Sequence, residues 1–142
     1  MPSQAQPESV LTWSDEYSVG IPSLDDQHKV LVSVIGRLQE AMARGLASEE
    51  LPALIEMLVT YARYHFAWEE QLLESHGFEE LSAHRDEHAR LTAQVLAFQE
   101  KAVGGRLFLG TPVLRFLRNW LIEHIQGTDS HYGTFLAQRG VR

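Results

Sequence analysis

Five histidines and one glutamate stand where this sequence would otherwise carry apolar residues. His28, His65, His84, His88 and His124, with Glu69, fall on the apolar stripes of four helical segments. Burying such a polar group without a partner costs ~1–3 kcal/mol, and a bare carboxylate costs more. A domain's net stability is only ~5–15 kcal/mol, so one small core cannot hold six such groups unsatisfied. A bound cation removes the conflict, because it turns each group into a ligand. A single histidine on an apolar face is usually an ordinary core residue; five, spread over four helices, are not. His65 and Glu69 are four residues apart, as are His84 and His88, so each pair projects from one helix face. A further carboxylate, Asp129, follows His124 by five residues. On an ideal α-helix that is about 140° further round, and the regular stripe would continue at Thr128. A π-type turn across Gly127 and Thr128 would bring Asp129 back into line with His124, and such turns favour functional sites.

The elements that must position these groups are legible from periodicity. The first stripe is Leu24, His28, Leu31, Ile35, Leu38 and Met42, with Gly45 as its stop. A second helix follows Ser48 as N-cap, with Glu49 and Glu50 at the positive end of its dipole. Pro52 is tolerable there because it lies in about the first turn. Its stripe is Leu51, Leu54 or Ile55, Leu58, Ala62, His65, Glu69 and Leu72, and Gly77 ends it. A third helix over 79–103 carries Leu81, His84, His88, Leu91, Val95, Phe98 and Ala102, and Gly104-Gly105 breaks it. The fourth starts at Thr111-Pro112, carries Leu114, Leu117, Leu121 and His124, and ends before Gly140. Four helices with short loops predict an all-α, antiparallel up-down-up-down four-helix bundle. Residues 1–12 are expected to form an irregular, flexible N-terminal arm, and residues 13–142 a single domain.

Composition narrows the function. The chain has no cysteine, which excludes disulfides, Cys–zinc sites and iron–sulfur clusters and agrees with a cytoplasmic protein. No apolar run approaches the ~20 residues of a membrane helix, and the N-terminus lacks the basic start and apolar stretch of a secretory signal. The net charge is −7 and the basic residues are scattered, so no nucleic-acid footprint is expected. His84-Arg-Asp-Glu-His88 also fits the H-x-x-E-H pattern of inverted zinc peptidases, with Glu87 as general base. That reading leaves His28, His65 and His124 unexplained. A ferritin-like di-iron oxidase would use Glu-x-x-His pairs, and the chain contains none. His76 and His131 are expected at the surface or rim.

Taken together, these motifs resemble the hemerythrin family in its bacterial single-domain form. The matching stretches are Trp13 with 17–21 (YSVGI) and 25–28 (DDQH), 65–70 (HFAWEE), 84–88 (HRDEH), and 120–129 (WLIEHIQGTD). The resemblance implies two iron ions per chain in an oxo- or hydroxo-bridged centre, with dioxygen as the ligand. It implies that His84, His88 and His124 bind one iron and His28 and His65 the other, with Glu69 and Asp129 bridging. It implies a dioxygen pocket of Leu31, Phe66, Trp120, Leu121 and Ile125. Counting bonds for two octahedral irons then leaves one position open, beside His28 and His65. Each imidazole should pass its second N–H to an acceptor, for which Asp25, Asp26, Glu70 and Glu123 are candidates. No catalytic residue is expected. The function implied is reversible dioxygen binding, as carrier, store or delivery protein. The alternatives are an oxygen or redox sensor, or an enzyme acting as a di-iron oxidase or on nitric oxide or peroxide. An oxygen-consuming or signalling partner would fit either role.

Overall fold

Pro22 opens the first long helix, α1 (Pro22–Ala43), in the first turn, where an N–H would have no intrahelical acceptor. It is followed by α2 (Ala47–Ser75), α3 (Leu81–Val103) and α4 (Thr111–Glu123). A π-helical segment (His124–Asp129) then joins α4 directly to α5 (Ser130–Ala137), so the last three form one rod. A 3₁₀ turn (Asp15–Tyr17) precedes α1. The structure, a computed structural model, describes residues 11–43, 47–103 and 111–142, with side chains except at 42–43, 47–49, 102–103, 111–114 and 128–130. Among the described residues there is no strand, and no helix is long and apolar enough to cross a membrane.

Side-chain pairings fix the topology. His28 meets His65 and Arg37 meets Met57, so α1 and α2 run in opposite directions. Arg85 meets Glu74 and His88 meets Glu70, which makes α3 antiparallel to α2. Trp120 donates from Nε1 to the Leu91 carbonyl at 3.0 Å, and His131 meets Glu80, which makes the last rod antiparallel to α3. The result is the expected up-down-up-down bundle. Its core holds the apolar stripe residues: Leu24, Leu31, Ile35, Leu38, Ile55, Leu58, Leu91, Val95, Leu117 and Leu121 are all buried. Each such side chain contributes roughly 1.5–3 kcal/mol relative to exposure.

Local signals set the ends. Gly77 has φ 69°, Phe78 N–H donates to the Leu73 carbonyl at 3.0 Å, and Gly77 N–H donates to that of Glu74 at 3.1 Å. This is a Schellman stop with its usual apolar contact, and it turns Leu73 rather than Leu72 fully inward. Gly140, at φ 80°, ends the last helix in the same way. Ser48 lies inside the first turn of α2 rather than at its cap. Of the arm expected over residues 1–12, residues 1–10 lie outside the described residues. Leu11 is a correction: it is buried, and its N–H donates to Gln39 Oε1 at 2.6 Å. Ordered packing therefore begins before Trp13.

Two contacts tie the segment before α1 to the bundle. Asp25, in the first turn of α1, accepts from the Ser18 hydroxyl at 2.6 Å and from Val19 N–H at 2.9 Å. Val19 in turn lies against Gly133 of α5, where a Cβ would collide with the Val19 carbonyl oxygen and stand 3.2 Å from its carbon. Only glycine permits that approach.

Candidate metal centre

The six polar stripe residues converge. His28, His65, Glu69, His84, His88 and His124 are each no more than 3% exposed. Glu69 sits between two groups of imidazoles and presents one oxygen to each. Its Oε2 lies 2.7 Å from His65 Nε2 and 3.3 Å from His28 Nε2. Its Oε1 lies 3.0 Å from His88 Nε2, 3.5 Å from His84 Nε2 and 3.8 Å from His124 Nε2. Two sets of donors result, each with its atoms within 4.8 Å of one another: Glu69 with His84, His88 and His124, and Glu69 with His28 and His65. The helix positions explain the convergence: α1 supplies one imidazole, α2 one imidazole and the carboxylate, α3 two imidazoles and the final rod one.

The donors fit cations. His88 Nδ1–H donates to Glu70 Oε2 at 2.7 Å, which leaves a lone pair on Nε2 when the ring is neutral. That lone pair faces Glu69 Oε1, and neither atom has a hydrogen-bond partner. Two acceptors 3.0 Å apart in a dry core repel each other unless a positive charge lies between them. Burial alone pushes the Glu69 carboxyl up. The charge of His65, with the imidazoles of His124 and His28 facing the carboxylate, outweighs this and holds it well below the usual carboxylate range.

The site includes groups that the periodicity did not single out. Tyr132 is fully buried, and its hydroxyl donates to Glu69 Oε2. Its ring lies 5.0 Å from that of His84. The signal available for it was general: a buried tyrosine hydroxyl needs an acceptor. Gln27 Oε1 accepts from His65 Nδ1 at 2.7 Å. Of the acceptors expected for imidazole N–H groups, Glu70 serves His88, whereas Asp25 turns to the segment before α1. Asp26 lies 3.9 Å from Lys29, and Glu123 is exposed. Glu87 Oε2 lies 3.9 Å from His124 Nδ1.

The expected π segment is present over His124–Asp129. Its i→i+5 bonding sets the Asp129 backbone one turn beyond His124 instead of ~140° round the helix. The Asp129 side chain lies outside the described residues. The residues expected to line a dioxygen pocket, Leu31, Phe66, Trp120, Leu121 and Ile125, are all buried. Phe66 stacks on the His88 ring at 4.2 Å and lies 6.2 Å from Trp120. His76 and His131 stand apart from the cluster. His76 is half-buried with Nδ1 on the Leu72 carbonyl, and His131 is exposed, 2.8 Å from Glu80.

Comparison with known proteins agrees with this geometry. Residues 19–136 match the family model of the hemerythrin HHE cation binding domain. The chain is 30% identical over 130 residues to a bacteriohemerythrin of Methylococcus capsulatus, covering 91% of this chain and 98% of that protein. It is 33% identical over 122 residues to a bacteriohemerythrin of Pseudomonas aeruginosa, covering 86% of this chain and 78% of that one. A crystal structure of wild-type hemerythrin superposes with a TM-score of 0.81 at 30% identity, over 89% of this chain and 97% of the other.

Proposed function

This chain belongs to the hemerythrin family, which binds dioxygen at a non-haem di-iron centre, and we propose that it does so reversibly, as a carrier, store or delivery protein. The observation that carries this reading is the placement of Glu69, with one oxygen facing three imidazoles and the other facing two. Three imidazoles and one carboxylate oxygen suit one iron, and His28, His65 and the other oxygen suit the second. Asp129 is assigned as the second bridging carboxylate, which the π segment and the family resemblance support. The group with fewer donors, at His28 and His65, is where an exogenous ligand would bind. When bound, the two irons supply the electrons and the open coordination position that hold dioxygen.

The chain's own residues hold and shield. Glu70 and Gln27 fix the ring orientation of His88 and His65 and keep each Nε2 directed at Glu69. Tyr132 holds Glu69 Oε2 in place. Leu31, Phe66, Trp120, Leu121 and Ile125, all buried, are assigned as the apolar wall of the ligand pocket. Excluding water there withholds the protons that would make ligand release irreversible. No side chain is assigned as a general acid or base, and the protein is read as a binder rather than an enzyme.

Metal analysis together with the visible spectrum, recorded with and without dioxygen, tests this. Two irons per chain, with an absorption band that appears with dioxygen and disappears on deoxygenation, is the expected result. One zinc and no visible band would overturn it, and turnover of an organic substrate would make the protein an oxidase instead.

A further inference from the structure

The far ring nitrogens of these imidazoles meet chemically unequal groups. On the three-histidine side, His88 Nδ1 donates to Glu70 Oε2 at 2.7 Å, and His124 Nδ1 faces Glu87 Oε2 at 3.9 Å. On the two-histidine side, His65 Nδ1 donates to the amide oxygen of Gln27, also at 2.7 Å. Equal distances mean that Gln27 and Glu70 orient their rings equally well. They differ in charge. A carboxylate strengthens the imidazole as a donor and adds its own attraction for a cation, whereas an amide orients the ring without a net charge.

We propose that Gln27 is a positioning residue whose neutrality keeps the His28–His65 position the weaker and more readily ferrous of the two metal positions. The inference rests on the di-iron reading above and concerns how its two halves differ. Metal fills the His84–His88–His124 position first. On the far ring nitrogen of His65 the other position has an amide where His88 has a carboxylate, so it lacks that added negative charge favouring a ferric ion. An iron held there would be more easily kept ferrous than one whose imidazole carries a carboxylate. Gln27 is half-buried, so a carboxylate of the same size can be accommodated at this position.

The test is an anaerobic calorimetric titration of the metal-free protein with cobalt(II), followed by spectroelectrochemistry of the iron-loaded protein. The wild-type chain takes up two cobalt ions in two steps. Gln27→Glu tightens the weaker step ~10-fold and leaves the tighter one unchanged, while Glu70→Gln weakens the tighter step by a similar factor. A tenfold greater preference for ferric over ferrous iron lowers a one-electron midpoint potential by about 59 mV, which is the shift expected for Gln27→Glu. Gln27→Met, which keeps the size and loses the acceptor, loosens the weaker step alone and serves if the glutamate variant does not fold. If either Gln27 variant moves both steps equally or neither, the inference is overturned and the di-metal reading stands. If the wild-type chain takes up fewer than two cobalt ions, the di-metal reading fails and the inference falls with it.

Discussion

Replacing Gly133 by alanine sets two effects of known sign against each other. A glycine inside a helix costs up to ~1 kcal/mol relative to alanine, so by helix propensity alone the change should stabilise α5. The added methyl group, however, would collide with the Val19 carbonyl oxygen and press on the Val19 carbonyl carbon at 3.2 Å and its Cβ at 3.3 Å. A flexible side chain could swing away; this backbone cannot easily do so. Val19 is buried, and its N–H is held by Asp25 Oδ1 at 2.9 Å. Overpacking of this kind costs typically ~1–3 kcal/mol. Net of the helix gain the loss is about 0–2 kcal/mol, and collision with backbone rather than a flexible side chain puts it in the upper half of that range. For a domain of this size that lowers Tm by roughly 3–8 °C. Differential scanning calorimetry of wild type and variant at matched metal loading measures it. Gly127, in the π segment, is the control, because a Cβ there meets nothing within 4 Å and Gly127→Ala should leave Tm unchanged or raise it. A Gly133→Ala protein as stable as wild type would refute the reasoning and show that the segment before α1 is free to move off α5.

Three further outcomes are expected. Tyr132→Phe keeps the buried ring but removes a hydrogen bond to a charged acceptor, for a loss of about 1.5–3 kcal/mol in metal-free denaturant unfolding; an unchanged midpoint would show that this bond contributes nothing. His124→Ala should lose metal and, as a buried large-to-small change, destabilise the bundle by roughly 2–5 kcal/mol. His76→Ala, at the half-buried end of α2, should leave metal content as it was, so equal metal loss in both variants would count against the assigned ligands. The Glu69 carboxyl is held below its ordinary value by His65 and its other imidazole neighbours, against the opposing effect of burial. Its stabilising contribution is therefore complete above the unfolded value of about 4.3 and is lost as pH falls through the lower folded value. Metal-free wild type should lose more stability than Glu69→Gln on acidification from pH 5 to 3, and parallel losses would contradict the assignment.

Much of this protein is encoded by short-range spacing. Apolar residues three and four apart define four amphipathic rods whatever they pack against, and Gly77 and Gly140 stop two of them because only glycine adopts positive φ cheaply. Histidines on those stripes had to be buried wherever the stripes were, so the five imidazoles and Glu69 were identifiable before their distances were known. The π segment was legible too, since the five-residue step from His124 to Asp129 brings the two into line only if the helix widens. What required the tertiary structure was how each rod is rotated and how far it slides along its neighbours. That rotation gives Glu69 one oxygen for each imidazole group, and sends Asp25 to Val19 while Gln27 goes to His65. It also brings Tyr132 onto Glu69 across 63 positions of chain and Val19 against Gly133. These contacts join residues distant in sequence, whose meeting depends on packing the whole core at once, and no local periodicity carries that information.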